Sequence, residues 1–257
     1  MPNRTQKDKP GAMTRDVMDG GIRKRAKEAP SLGQNIIGVL VGENEQKFFV
    51  HEALLKKSSV YLRNALKECW KLASGFDTDV IWIRTVEPRT FEIYIKWLYF
   101  GKIFSIEDDD AEDHGGGTHG IHEFPRLCDL YIFGDYIQDV SLKNAAIDAL
   151  IAATVERNRY PTALAARTCC NTPPTSKLYQ LLVDFYAWTT TPGWIDEKNA
   201  EEDPSCDVAD APPKFWRDVL RATWKAGGAV FKDNKTYPWA KDKCKYHEHS
   251  DAEGKCV

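Results

Sequence analysis

The chain has 257 residues, of which 42% are hydrophobic and 28% charged, and a formal net charge of -3. This ordinary globular composition allows one large domain, or one domain with a smaller partner, and the weak negative charge predicts no general affinity for nucleic acid or anionic membranes. No apolar run approaches the roughly 20 residues of a membrane span, and seven scattered cysteines are typical of reduced thiols in an intracellular protein of the cytoplasm, the nucleus or both.

Residues 1–34 form a basic segment with eight Lys or Arg against four Asp or Glu and almost no large apolar side chains. They contain no apolar signal-peptide core, so the sequence gives no indication of secretion. Such a segment cannot bury enough surface to offset its ordering entropy, and we predict a disordered tail. The basic run over residues 23–27 fits either a nuclear localisation patch or a solvated arm.

Residues 36–101 predict a compact series of strands and helices. Bounded apolar runs at residues 36–41 and 47–50 predict a β-hairpin, and residues 79–84 predict a third strand. Between them, apolar residues at helical spacing predict two helices separated at Ser58-Ser59. Pro88 and Gly101 mark the beginning and end of a further amphipathic helix.

This pattern resembles the BTB/POZ domain, a protein-interaction module, and in particular the stand-alone BTB proteins of fungi. The resemblance covers residues 35–155 and depends on the order and spacing of residues Phe48, Val50, His51, Leu54, Leu55, Ser59, Tyr61, Pro88, Phe91, Trp97, Leu98, Tyr99, Gly101, Leu127, Leu130, Tyr131, Phe133, Asp135, Tyr136, Leu142, Lys143, Asn144 and Ala145. It implies an α+β fold, a small mixed sheet capped by helices. The expected core contains Phe49, Leu55, Trp82, Phe91, Trp97, Leu130 and Tyr131.

The chain departs from the family's pattern in three places, and the first two concern its partners. Asn35 stands where tightly homodimeric BTB domains usually carry Asp, and Leu66-Lys67-Glu68 has the form of a cullin-contact element but falls too early in the chain. Val60 and Leu62 replace the Pro and Phe that commonly flank the Tyr61 position. The charged pocket of those dimers therefore lacks its usual Asp, and the cullin-adaptor role is not carried over from the resemblance.

A polar insertion over residues 105–123 interrupts the predicted domain with an acidic run, three consecutive glycines and three histidines. Its Gly115, Gly117 and Gly120 match a dinucleotide-binding spacing, but they follow an acidic run and not a strand, so we reject that interpretation. A disordered surface loop explains the composition better than a metal site does. Two further helices, over residues 124–137 and 141–153, are predicted to complete the domain.

Residues 156–257 resemble no family and contain five of the eight tryptophans, which predicts a folded, mainly helical region. One helix carries Leu178, Leu181, Leu182, Phe185 and Tyr186, and a second begins at Pro213 and carries Phe215, Trp216, Val219, Leu220 and Trp224. An acidic linker over residues 196–212 separates them. Such stripes indicate core packing, with an exposed groove for a partner helix as the alternative.

Two thiols and two imidazoles gather at the end of the chain, in Cys244, His247, His249 and Cys256. This is a complete tetrahedral ligand set, so the sequence predicts a structural zinc that pins the C-terminus. Free thiols in a polar tail are the alternative. Four protein ligands leave no open position, which argues against a catalytic zinc.

No catalytic or cofactor-binding motif is present: the chain has no nucleophile elbow, no phosphate-binding loop and no Cys-x-x-Cys pair. We therefore expect a non-catalytic adaptor that binds proteins, with self-association or a cullin among the possible partners and without nucleic-acid or membrane partners. A cullin-ligase substrate adaptor and a zinc-containing nuclear regulatory protein are the alternatives.

Overall fold

The computed structural model describes residues 25–26, 29–67, 80–107, 123–161, 164–189, 211–227 and 236–249. The chain divides into two compact units, residues 1–31 and residues 32–257, and every element named below belongs to the second. Cys256 and most of the predicted tail, insertion and acidic linker lie outside the described residues. Within them, the second unit is a mixed α+β structure with a small three-stranded sheet and mostly helices, as the sequence predicted.

The sheet contains strands β1 (Ile36–Val41), β2 (Gln46–His51) and β3 (Val80–Ile83). Strand β1 lies in the middle, antiparallel to β2 and parallel to β3. The turn after β1 begins at Gly42, where φ is 76° and an added Cβ would lie only 3.1 Å from Pro88. Glycine suits this position because it tolerates both the left-handed backbone and the close contact.

One face of the sheet is buried in the core and the other is not. Val39 pairs with Phe48 of β2 and with Ile81 of β3, and these three side chains face the helices. The same face of the sheet carries the buried residues Ile37, Val41, Val50 and Ile83. The prediction that Phe49 belongs to the core is wrong, because its side chain is 64% exposed. Successive strand residues point to opposite faces, so burying Phe48 and Val50 leaves Phe49 outside.

In the described residues up to 161, five helices contribute to the same core cluster as the sheet: α1 (Glu52–Ser58), α2 (Val60–Ala65), α3 (Pro88–Phe100), α4 (Glu123–Tyr136) and α5 (Val140–Arg157). The predicted break between α1 and α2 is confirmed, because Ser59 is extended and its hydroxyl accepts a hydrogen bond from the Leu62 amide. Helix α3 begins with Pro88 and ends at left-handed Gly101, also as predicted.

Asp139 caps the N-terminus of α5, which begins one residue before the predicted range of 141–153. The Asp139 carboxylate accepts a hydrogen bond of 2.9 Å from the Leu142 amide, and burial raises the pKa of this carboxyl group. The Ser58 hydroxyl donates to the same carboxylate. Asp139 therefore links the start of α5 to the end of α1, an arrangement that depends on tertiary contact and not on local sequence.

The predicted core is otherwise largely present. Leu55, Phe91, Leu130 and Tyr131 are fully buried, and Phe91 and Tyr94 each form edge-to-face contacts with Phe133. Trp97 is partly buried and packs against this core, whereas Trp82 is half-buried and lies beside the Arg84 guanidinium.

The C-terminal elements are α6 (Ala165–Asn171), α7 (Lys177–Thr189), α8 (Pro213–Ala226), α9 (Pro238–Lys241) and a 3₁₀ helix (Lys243–Tyr246). The apolar stripes predicted for α7 and α8 are mostly buried between them, but Leu220 and Trp224 of α8 are exposed. Trp239 and Tyr246 lie in the same core cluster as the sheet and the earlier helices. None of the helices in the described part of the chain is long and apolar enough to cross a membrane.

Candidate protein-interaction site

Large apolar side chains are exposed at the outer side of β1 and β2 and at the end of α3. Ile36, Phe49, Phe100 and Phe104 are 55%, 64%, 67% and 44% exposed, respectively. An exposed apolar group of this kind is typical of a protein-interaction site, whereas a single exposed apolar residue needs no explanation. We call this group the aromatic surface and define it as Ile36, Phe49, His51, Tyr99, Phe100 and Phe104.

His51 and Tyr99 connect the two parts of the aromatic surface. His51 is the register partner of Ile36 in the β-hairpin, and its Nδ1 lies 2.5 Å from the Tyr99 hydroxyl oxygen. The two rings also meet edge to face, with centroids 5.7 Å apart. The His51 amide donates a further hydrogen bond of 3.3 Å to the same hydroxyl oxygen. His51 is thus a hydrogen-bonded residue that joins the end of β2 to α3.

The end of α3 determines the position of the two exposed phenylalanines. Gly101 adopts the left-handed conformation that ends the helix directly after Phe100. The chain then turns so that the Phe104 ring packs edge to face on Phe100, with centroids 5.8 Å apart. A partner at this surface would therefore meet two aromatic rings that lie side by side.

The sheet side of this region also carries positive charge. The Lys47 ammonium lies 5.0 Å from the centre of the Phe49 ring, and the Arg84 guanidinium lies 4.9 Å from that of Trp82. These cations lie over aromatic faces, where the attraction is electrostatic. An aromatic centre with charged neighbours is the usual composition of a protein interface.

The predicted zinc ligands are only partly brought together. Cys244 Sγ lies 3.0 Å from His249 Nε2, and both residues line an open cleft of about 640 Å³ together with His247 and Glu248. However, His247 directs its Nε2 at the Asp148 carboxylate, 3.2 Å away, and Cys256 lies outside the described residues. In the part of the chain that the structure describes, no three His, Cys, Asp or Glu residues are arranged to hold a metal ion.

The described residues that end at His249 are held by contacts that the sequence did not reveal. Glu248 and Asn144 exchange two hydrogen bonds, from the Glu248 amide to the Asn144 side chain and from that side chain back to the Glu248 carbonyl, at 2.8 and 2.9 Å. The Glu248 carboxylate accepts from the Tyr131 hydroxyl and pairs with Lys143 at 2.5 Å. Burial by itself would lower the pKa of Lys143, but Asp135 and Glu248 outweigh that effect and raise it.

Tyr246 provides the apolar anchor of the same segment. Its ring is fully buried and its hydroxyl donates to Asp184 at 2.5 Å, while burial raises the pKa of the phenol. Residues 236–249 are thus attached to the rest of the fold by the buried Tyr246 ring and by the hydrogen bonds and ion pair of Glu248. Structural order up to His249 requires no metal ion to explain it.

The zinc site stays a prediction for the full set of Cys244, His247, His249 and Cys256. We expect the purified protein to contain about one zinc ion per chain if the four side chains converge, because they form a complete tetrahedral set. Elemental analysis after removal of loosely bound metal measures this directly. A Cys244→Ser/Cys256→Ser variant should then lose the ion, and a zinc content well below stoichiometric in the unaltered chain would contradict the site.

A separate surface cleft of about 490 Å³ is a second place where a small molecule could bind. Asp129 lines it, and burial raises the pKa of this carboxyl group while the nearby Arg167 guanidinium opposes the shift. Arg167 lies within 2.8 Å of both Asp129 carboxylate oxygens. The described lining contains neither His nor Cys, and a carboxylate engaged by arginine is a poor general base.

Sequence reasoning missed the aromatic surface, although one signal for it was available. In the run Gln46–His51, Phe48 and Val50 share one face and Phe49 points to the other, so the strand could not bury both phenylalanines in a one-sided core. Phe100 and Phe104 gave no such signal, because their exposure depends on the turn after α3. A comparison with known protein families and with curated proteins finds no match to this sequence.

Proposed function

We propose that this protein is a non-catalytic interaction module with a BTB/POZ-like domain, and that the aromatic surface is its main binding site for a protein partner. The single observation that carries the proposal is the exposure of Ile36, Phe49, Phe100 and Phe104 around the His51–Tyr99 contact. Exposed aromatic side chains next to charged neighbours favour a protein partner over a small molecule.

The order of the elements supports the BTB/POZ-like assignment. Among the described elements, two antiparallel strands, two short helices, a third strand parallel to the first and then three longer helices follow in the order expected from the resemblance. Several residues that carry the resemblance, among them Leu55, Phe91, Leu130 and Tyr131, occupy the core. This packing supports a BTB/POZ-like fold, and the docking role in the proposal follows from the resemblance to that family.

Replacing Phe49 and Phe100 together with Ser tests the proposal. Both side chains are mostly exposed, so the double variant should fold with nearly unchanged stability. Truncation of aromatic interface anchors commonly costs 2 kcal/mol or more, so we expect at least a roughly tenfold loss of partner affinity. Proximity labelling and affinity purification with quantitative mass spectrometry, in the native cells, measure that loss.

Val155→Ser is the matched control, because Val155 is 67% exposed on α5 and does not belong to the aromatic surface. Partners retained by the unaltered chain and by this control, but lost by the double variant, would support the proposal. Light scattering of the purified proteins separates self-association from binding to another protein. A cullin among the lost partners would identify an adaptor role, and an unchanged partner set would contradict the aromatic surface as the binding site.

A further inference from the structure

Helix α8 presents an outward face that combines positive charge with two exposed apolar side chains. Trp224 is 79% exposed and Leu220, one helical turn earlier, is 56% exposed. Arg217, Arg221 and Lys225 are exposed on the same helix. We call this set of Arg217, Leu220, Arg221, Trp224 and Lys225 the basic face of α8.

Packing on α7 fixes which side of α8 faces outward. Phe215 and Val219 are buried, and the Phe215 ring meets Tyr179 and Tyr186 edge to face. The Tyr179 hydroxyl also donates to the Asp218 carboxylate at 3.0 Å. The apolar stripe of α8 is thus already buried against α7, and Leu220 and Trp224 are apolar side chains outside that packed stripe.

The basic face carries more positive charge than the helix neutralises. Helix α8 contains Lys214, Arg217, Arg221 and Lys225 but only one acidic residue, Asp218, whereas the whole chain has a net charge of -3. Asp218 is already engaged by Lys214 at 2.5 Å and by Arg221 at 3.4 Å. Arg217 and Lys225 have no ion-pair partner within the part of the chain that the structure describes.

We propose that the basic face of α8 binds an acidic amphipathic helical segment of a partner protein. Leu220 and Trp224 are neighbours at helical i, i+4 spacing and form a short apolar strip that a second helix can cover with its own apolar residues. The arginines beside that strip can form bidentate hydrogen bonds with carboxylates of the bound segment. Exposed tryptophan and arginine are the residue types that most often dominate binding energy.

The same face suits lipid and nucleic acid less well. An interfacial helix inserts a broad apolar face into the membrane, but the broad face of α8 packs on α7 and only two apolar side chains remain outside. Nucleic-acid binding depends mainly on the number of phosphate contacts, and Leu220 contributes nothing to those. Carboxylates together with apolar side chains match both components of the face.

Selection from a displayed library of random peptides, about 15 residues long so that isolated helices can form, tests this proposal on the full chain. We expect the selected peptides to be enriched in Asp and Glu and to carry Leu, Ile, Val or Phe at three- and four-residue spacing. Their affinity should fall at least about tenfold for Trp224→Ala. An Arg217→Glu/Arg221→Glu variant should lose these peptides and bind their counterparts in which Lys replaces each acidic residue.

Val155→Ala is the control, since Val155 is an exposed apolar residue outside both the aromatic surface and the basic face of α8, and the variant should leave the selected peptides bound. Trp224→Ala removes an exposed side chain, so its thermal midpoint should stay within about 2 °C of the unaltered chain. If no selected peptide is both enriched in Asp and Glu and bound at least about tenfold more weakly by Trp224→Ala, the proposal is overturned. Trp224-dependent binding to phosphatidylserine vesicles or to oligo-dT, without binding to acidic peptides, would overturn it in favour of a membrane or nucleic-acid partner.

Discussion

Replacing Trp239 with Ala should destabilise the protein by about 3–5 kcal/mol, a large share of the stability of an ordinary domain. Trp239 is 1% exposed, and its ring packs edge to face on Phe185 and stacks on Tyr237, each with centroids 4.7 Å apart. The Tyr160 ring contacts a third side of the Trp239 ring, also edge to face. Truncation leaves a cavity that these aromatic side chains cannot fill, so unfolding in denaturant should occur at a clearly lower midpoint.

Trp224→Ala provides a matched control for this prediction because it makes the same chemical change at an exposed position. Its effect should remain within about 0.5 kcal/mol. Similar losses in the two variants would mean that residues around Trp239 do not form a shared core with α7. Near-ultraviolet circular dichroism distinguishes a local release of the C-terminal segment from global unfolding.

Replacing Arg157 with Ala should cost about 3 kcal/mol, because it leaves a buried carboxylate without its cation. Glu123 is 4% exposed, and Arg157 donates to its Oε2 from two nitrogens at 3.0 and 2.7 Å. The Ser105 hydroxyl donates to the other carboxylate oxygen at 2.6 Å. This pair joins the beginning of α4 to the end of α5, so its loss should lower the thermal midpoint by on the order of 10 °C.

A Glu123→Gln/Arg157→Ala double variant isolates the cause of that loss. The amide of the new side chain keeps an acceptor for Ser105 but carries no charge, so we expect it to recover at least about half of the lost stability. Arg221→Ala is the control for an exposed ion pair, and it should cost at most about 1 kcal/mol. A double variant no more stable than Arg157→Ala would show that lost side-chain packing, and not an unpaired charge, explains the effect.

Local patterns predicted the elements of this chain well because their signals are local. The apolar runs of β1 and β2, the break at Ser59 and the Pro88 and Gly101 ends of α3 all appear in the structure where the sequence placed them. Each depends on a few neighbouring residues, whose backbone preferences and side-chain spacing are visible without tertiary contacts.

The sites were less predictable because they depend on contacts between distant residues. The C-terminal histidines and cysteine formed the most evident chemical cluster in the sequence, yet His247 lies against Asp148 and the neighbouring Glu248 is held by Asn144. These partners lie about one hundred residues earlier in the chain, and no local pattern relates them. The exposed position of Phe49 could have been predicted from alternation, but only with knowledge of which strand face is buried.

By itself, the sequence determined the α+β composition, the order of strands and helices and the absence of a recognisable catalytic motif, because spacing and residue type carry that information. Only the tertiary structure decided which side chains remain at the surface. Periodicity identifies the apolar face of an element, whereas exposure depends on whether another element covers that face. For this reason Phe49, Phe100 and Trp224 emerged as candidate binding residues only once the sheet and helices were assembled.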